Sequence, residues 1–325
     1  MARPPKIPKL LASKIYKTGQ TRGADDDVIF QNRVNRNNTV LIPLQNFEAC
    51  KLAPTDEGKY DNGFIVLINP DEYFANDVVP KKMTELGLEL GNNALLFYYS
   101  RTQWNAYNPV EKGLTIATSR SNPLGGQYVA RVPSTTSKED KKIMDGYSTT
   151  SMKGAGIRVY EFASSEIIKQ CRVQLEYIYW SCHDATEVSE ELGMSKEDIK
   201  KRVEHITDTA NELGLSNLKQ LQERRIINMD SKSICPLCLK EISAWGFYNK
   251  VQQAEGRAVS DLTVTQLNLF HIDELRIGQF NHKPYNLGWG HHHCNIVVKD
   301  AGIYETLKWM NEVVEINKKA GLFKP

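Results

Sequence analysis

Two short pairs of metal-gripping residues constrain this chain more than anything else in it: Cys235-Pro-Leu-Cys238 and, further on, His291-His-His-Cys294. A two-residue spacer lets both ends of a pair aim at one ion, and two such pairs complete a tetrahedral zinc shell. The clustering is local. Five of the seven histidines fall between His271 and His293, and three of the six cysteines between Cys235 and Cys294. A redox use of the C-x-x-C pair would leave the second pair unexplained. Cys235, Cys238, His291 and Cys294 are therefore the expected zinc ligands, with His291 preferred over His292 and His293 by its spacing to Cys294. Closing such a site ties two distant stretches together and supports a module with little core of its own. Cys50, Cys171 and Cys182 are scattered and read as small buried hydrophobes.

The rest of the chain is ordinary in bulk. Its 325 residues, 41% hydrophobic and 25% charged, suit a soluble globular protein of one large domain or two to three smaller ones. No apolar run is long enough to span a membrane, and the basic N-terminus lacks the apolar stretch of a secretory signal. A cytoplasmic address and no membrane partner are expected. The net charge of +2 is too mild to indicate nucleic acid by itself. Locally, Arg3, Lys6, Lys9, Lys14, Lys17 and Arg22 precede the first acid, Asp25. Residues 1–23 thus read as a basic arm, either a solvated tail or a phosphate contact.

Hydrophobic periodicity gives an α+β fold class. Residues 24–165 form a mixed domain whose runs 39–44, 63–70, 94–100, 127–132 and 157–162 are β-branched or aromatic and read as strands. A short helix is expected over 80–91. The stretch 101–142 is rich in side chains that can address base edges or stack. Arg101, Gln103, Trp104, Arg120, Asn122 and Arg131 are its candidate DNA contacts, although amide-rich loops are also common turn material. Residues 166–230 turn helical, and Gly193 with Ser195 has the cadence of a helix-turn-helix. Glu197 and Asp198 at the start of its second helix favour a structural hairpin over a DNA reader. A zinc module over 231–300 and an amphipathic helix in 301–325 complete the expected layout. Core packing of Ile303, Leu307, Met310 and Val314 accounts for that last helix.

Between the two metal pairs, His271-Ile272, Asn286-Leu287, Cys294-Asn295 and Lys299 stand in an order that resembles the HNH, or ββα-metal, nucleases. Fifteen residues separate His271 from Asn286 and nine more reach Asn295, as in that family's hairpin-then-helix arrangement. The resemblance implies that His271 is the general base and Asn286 the residue that holds the loop and orients it. It implies that Asn295 is a ligand of a catalytic divalent ion, Mg²⁺ with Mn²⁺ able to substitute, and that Lys299 approaches DNA. The residue types suit phosphodiester hydrolysis independently. A neutral imidazole can take a proton near pH 7, and an amide oxygen can ligate a hard cation. One position departs from the pattern. Related sequences usually carry Asp before the histidine, and here Phe270 stands there. Asp273 is a possible substitute ligand, with Glu274, His282, His292 and His293 also in reach by sequence.

The chain has no helicase-type phosphate loop and no adenosylmethionine-type glycine signature. It is most similar to a Type II restriction endonuclease with a zinc-bound HNH core. That class implies double-stranded DNA as substrate, a homodimer, and a separate cognate DNA methyltransferase. Two alternatives stay open: a modification-dependent or homing-type HNH endonuclease, and a non-catalytic zinc-containing DNA-binding regulator.

Overall fold

A computed structural model describes residues 4–22, 33–47, 50, 63–120, 123–135, 141–146, 157–253, 257–258, 265–299 and 301–322. The chain divides into two compact units. One comprises Met1–Thr18, Ser165–Leu275 and Asn281–Pro325, the other Gly19–Ser164 and Arg276–Phe280.

The chain opens with α1 (Lys9–Tyr16), which belongs to the first of these units. Leu11, Lys14 and Ile15 face inward, and Lys14 Nζ donates to the Leu267 carbonyl at 2.8 Å. Lys14 is thus a structural donor rather than one of a row of solvated charges.

The second unit begins with a short antiparallel pair, β1 (Gln20–Arg22) and β2 (Arg33–Asn35). Its centre is a six-stranded sheet built from β3 (Val40–Pro43), β4 (Phe64–Ile68), β5 (Ala94–Tyr98), β6 (Tyr128–Val132), β7 (Ile143–Asp145) and β8 (Ile157–Arg158). Their spatial order is β7-β6-β5-β4-β3-β8, all neighbours parallel except the antiparallel β6–β7 pair. Val40, Ile42, Val66, Ile68, Leu96 and Tyr98 bury one face, and Leu41, Ile65, Leu95 and Val129 bury the other. Burial on both faces is why these strands read as continuous apolar runs instead of alternating ones. Four of the expected strand runs hold. In the fifth, pairing stops at Arg158 and a 3₁₀ turn follows over Val159–Glu161.

Three helices lie between the strands of this sheet: α2 (Pro70–Ala75), α3 (Val78–Glu85) and α4 (Arg101–Ala106). The helix expected over 80–91 starts earlier than the sequence suggested. Pro80 sits in its first turn, where the missing N–H costs nothing.

The first unit is mainly helical, with α5 (Ser165–Trp180), α6 (Ala185–Glu191), α7 (Lys196–Glu212) and α8 (Leu218–Glu223). Gly193 takes φ +95° in the turn before α7, and Ser195 caps that helix by accepting the Asp198 N–H at 3.1 Å. Ile199, Ile206 and Ala210 line the buried side of α7. Arg202 of α7 grips Glu176 of α5 through two bonds of 2.6 Å, and Glu176 is only 4% exposed. The helix-turn-helix cadence is thus met by α6 and α7 joined at Gly193, with the inward face of α7 held by α5.

After α8 come the two-residue strands β9 (Gln252–Gln253) and β10 (Arg257–Ala258), then a longer hairpin of β11 (Leu267–His271) and β12 (Leu287–His291). Helix α9 (His292–Val298) follows β12 directly, and α10 (Gly302–Lys319) ends the described chain. Phe270 and Trp289 are among the largest fully buried side chains and share a core with Phe247, Leu175 and Leu267. The Trp289 indole donates to the Leu175 carbonyl at 2.9 Å, which anchors the hairpin to α5.

Gly290 makes room for Phe270, since a Cβ there would lie 2.4 Å from its ring. Gly290→Ala is expected to lower stability by about 1–3 kcal/mol through overpacking. Gly288→Ala, whose Cβ would meet nothing nearer than 3.6 Å, should cost less. Denaturant midpoints at constant m-value compare the two.

Helix α10 departs from expectation. Only Gly302, Ile303 and Thr306 are buried, whereas Leu307, Met310 and Val314 are 37–39% exposed. Core packing thus explains its first turns and not the rest, because the helix runs on past the core that Ile303 joins. No helix among the described residues is long and apolar enough to cross a membrane.

Candidate functional site: a thiol–imidazole cluster beside a histidine-ended hairpin

The C-x-x-C pair sits on a tight turn after α8. The Cys235 carbonyl accepts the Leu239 N–H, and the Cys235 N–H reaches back to the Lys240 carbonyl. The second pair spans the junction where β12 becomes α9, so His291 ends a strand and Cys294 lies in the first turn of a helix. Ligand atoms of Cys235, Cys238, His291 and Cys294 all lie within 4.8 Å of one another. Cys238 Sγ stands 3.3 Å from His291 Nδ1. Burial, and then the neighbouring Cys235 and Cys238, push the Cys294 thiol well above its ordinary range. Thiols that crowd like this ionise together only when a cation compensates them. Of the two neighbouring histidines, His292 places Nδ1 2.9 Å from Asn268 Nδ2, and burial followed by His293 and Lys14 holds its pKa down. His293 stacks on His291 with ring centroids 5.6 Å apart.

His271 is the last residue of β11, paired with Leu287 where the hairpin opens into a loop. That loop is held by Asn286, which is 1% exposed. Its Oδ1 accepts the Asp273 N–H at 2.7 Å and Arg224 Nη2 at 2.8 Å. Its Nδ2 donates to the carbonyls of Asn281 at 2.7 Å and Asp273 at 3.1 Å. One amide side chain thus clamps both ends of the loop, and only Asn offers acceptor and donor at this reach. Asn286→Ala is expected to cost about 2–3 kcal/mol, since it strands several buried polar groups. Chemical denaturation measures the loss.

Arg224, which follows α8, closes the same loop from outside. It donates to the Tyr285 carbonyl at 2.8 Å and meets the Asp273 carboxylate at 2.5 Å. Asp273 is therefore already engaged by a guanidinium. Phe270 points into the core, as far from solvent as a side chain can be. Asn295 and Lys299 lie on or just beyond α9, the first half-buried and the second exposed.

The candidate DNA contacts of the other unit fare unevenly. Gln103 is 1% exposed and donates to Asn69 Oδ1 and Asp71 Oδ2 at 2.8 and 2.7 Å. Trp104 packs edge-on against Tyr98 at 5.8 Å. Arg131 is 2% exposed and donates to the Asp145 carbonyl at 3.0 Å. These three hold their own unit together. Arg101 is half-buried and reaches the Lys141 carbonyl at 2.5 Å, and Arg120 is half-buried, its carbonyl accepting Thr39 Oγ1. Asn122 lies outside the described residues.

Sequence reasoning missed one side chain at the hairpin and left another without a partner. Arg224 is remote in sequence and carries no motif. His282 was noted only as one of several donors in reach, yet its Nδ1 lies 3.0 Å from His271 Nε2.

Comparison with known proteins places the chain. It belongs to the BstXI restriction endonuclease family, whose model matches residues 13–292, ending just before Cys294, Asn295 and Lys299. A solved structure described as "Crystal structure of a type II restriction endonuclease" is similar at 15% identity and a TM-score of 0.28. That match covers 49% of this chain and 58% of the other. No curated protein matches the chain.

Proposed function

We propose that this member of a restriction endonuclease family is a Type II endodeoxyribonuclease that hydrolyses double-stranded DNA at specific sequences, with a zinc-stapled HNH module as its catalytic centre. Membership of the family supports DNA cleavage. The observation that carries the choice of centre is His271 at the mouth of a hairpin loop clamped by buried Asn286, followed by the helix that bears Asn295.

Cys235, Cys238, His291 and Cys294 would hold a structural zinc, and three thiols with one imidazole are a donor set that suits it. Asn295 would hold the catalytic divalent ion. An amide oxygen is a hard donor that suits Mg²⁺ when phosphate and water oxygens complete the shell. When bound, that ion supplies charge neutralisation at the phosphate and at the departing oxygen. Asp273, paired with Arg224, is a weaker candidate for a second ligand.

His271 takes a proton from water as the water oxygen forms its bond to phosphorus. The bond from phosphorus to the 3′ oxygen breaks, and that oxygen leaves with a proton from solvent. Asn286 holds the loop so that the imidazole faces the scissile phosphate, and exposed Lys299 meets a neighbouring phosphate. A homodimer would give each strand one such centre. A cognate methyltransferase is expected to protect the host's sites.

The test is digestion of plasmid and phage DNA with purified protein and Mg²⁺. Discrete fragments support the proposal. Binding without cleavage in either Mg²⁺ or Mn²⁺ would move the chain to the regulator class. Cleavage of methylated DNA alone would make it modification-dependent.

A further inference from the structure

Helix α10 stays apolar on one face along its 18 residues, while the core takes only Gly302, Ile303 and Thr306. At about 100° per residue, Ile303, Leu307, Met310 and Val314 form one row, and Trp309, Val313 and Ile316 form a second row beside it. Together the rows fill about half of the helix circumference. The six charged side chains, Glu305, Lys308, Glu312, Glu315, Lys318 and Lys319, share the other half, where Lys318 pairs with Glu315 at 2.9 Å. Trp309 and Ile316 are 55% and 65% exposed, and Leu307, Met310, Val313 and Val314 are exposed by more than a third. The start of the same helix is tied to the hairpin that carries the base. The Ile303 N–H donates to the carbonyl of Ile272 at 3.0 Å, and Ile272 directly follows His271. From that bond α10 runs on as a rod about 27 Å long.

We propose that the apolar half of α10 is a dimer interface, covered by the α10 of a second copy of this chain packed antiparallel across a two-fold axis. The choice of a second copy rests on the reading of the chain as an endonuclease that cuts both strands. Two properties of the face suit it to its own copy. A two-fold contact sets a surface against itself, so any charge within it meets its own kind. This half of α10 carries none. The area is also sufficient. The six exposed side chains offer roughly 500 Å² per chain, so self-pairing removes about 1,000 Å² from water before any polar rim is counted, which is where specific interfaces begin. A single patch of that size lies at the upper end of what a monomer leaves in water. Because each α10 is fastened beside its own His271, the pairing also sets the separation of the two bases and the stagger between the two cuts.

Sedimentation velocity of the full chain across a dilution series tests this without DNA or catalysis. The expected result is a dimer for the wild type. Met310→Glu should dimerise more weakly by about 100-fold or more, since the axis brings two unpaired carboxylates together inside the interface. Lys308→Glu, on the charged half, should associate as the wild type does. On a plasmid with one cleavage site, the wild type should give linear product and Met310→Glu should give nicked circles first, with zinc content unchanged. A wild type that stays monomeric at every concentration, with or without DNA, would overturn the proposal. So would a Met310→Glu as dimeric as the wild type, or a monomeric wild type that the substitution destabilises, which would place the cover within the same chain. If Met310→Glu does not fold, hydrogen exchange of the wild type decides. Protection over Leu307–Ile316 should then rise with protein concentration, and exchange there that ignores concentration overturns the interface. A dimer that cuts no DNA sinks the nuclease reading instead and leaves the interface standing.

Discussion

His271→Ala is expected to bind DNA as the wild type does and to cleave it about 10³-fold more slowly, since general-base catalysis contributes on the order of 10²–10⁴. The size of the effect follows from position. His271 ends β11 where the hairpin opens, half-buried and therefore reachable, while the side chains around it are engaged with other parts of the module. Phe270 fills the core, Asn286 clamps the loop, and Asp273 is held by Arg224. Rates under single turnover, with affinity measured separately in Ca²⁺, separate loss of chemistry from loss of binding. A His271→Ala rate within a few-fold of wild type would remove His271 from the mechanism.

Cys235→Ser should release one equivalent of zinc per chain and lower stability by at least about 3 kcal/mol, on the order of 10 °C in melting temperature. The loss is large because Cys235 and Cys294 are themselves buried in the core that holds Phe247, Phe270 and Trp289. Without the metal, that core contains crowded thiols in place of a tetrahedral staple. His292→Ala should keep its zinc, because His292 is directed to Asn268 and lies outside the four converging ligands. Elemental analysis and thermal melts together decide the point. Zinc retained in Cys235→Ser, or lost from His292→Ala with His291→Ala unaffected, would require a different ligand set.

How much was legible in the sequence depended on whether the information was local. The C-x-x-C and H-x-x-C spacings are local, and the four side chains they nominate converge. The sheet was legible for the same reason, because strands buried on both faces read as unbroken apolar runs, although their order depends on long-range pairing. Residue type alone does not show the partners a side chain takes within its own unit. Gln103, Trp104 and Arg131 have the chemistry of DNA contacts and also meet Asn69 at the start of α2, Tyr98 of β5 and Asp145 of β7. The helix α10 was overread in the opposite sense, its apolar stripe being taken for core along its whole length. Arg224 and His282 meet partners 62 and 11 residues away, and nothing in their immediate sequence announces it.

The central claim is that one hairpin-and-helix module, with His271 as base, cuts DNA. The most direct measurement is digestion of unmethylated phage DNA with Mg²⁺ by the wild type and His271→Ala side by side, with fragment ends mapped. The account predicts discrete fragments with common end sequences from the wild type and intact DNA from His271→Ala. Equal fragments from both proteins, or none from the wild type while it still binds the DNA, would contradict it.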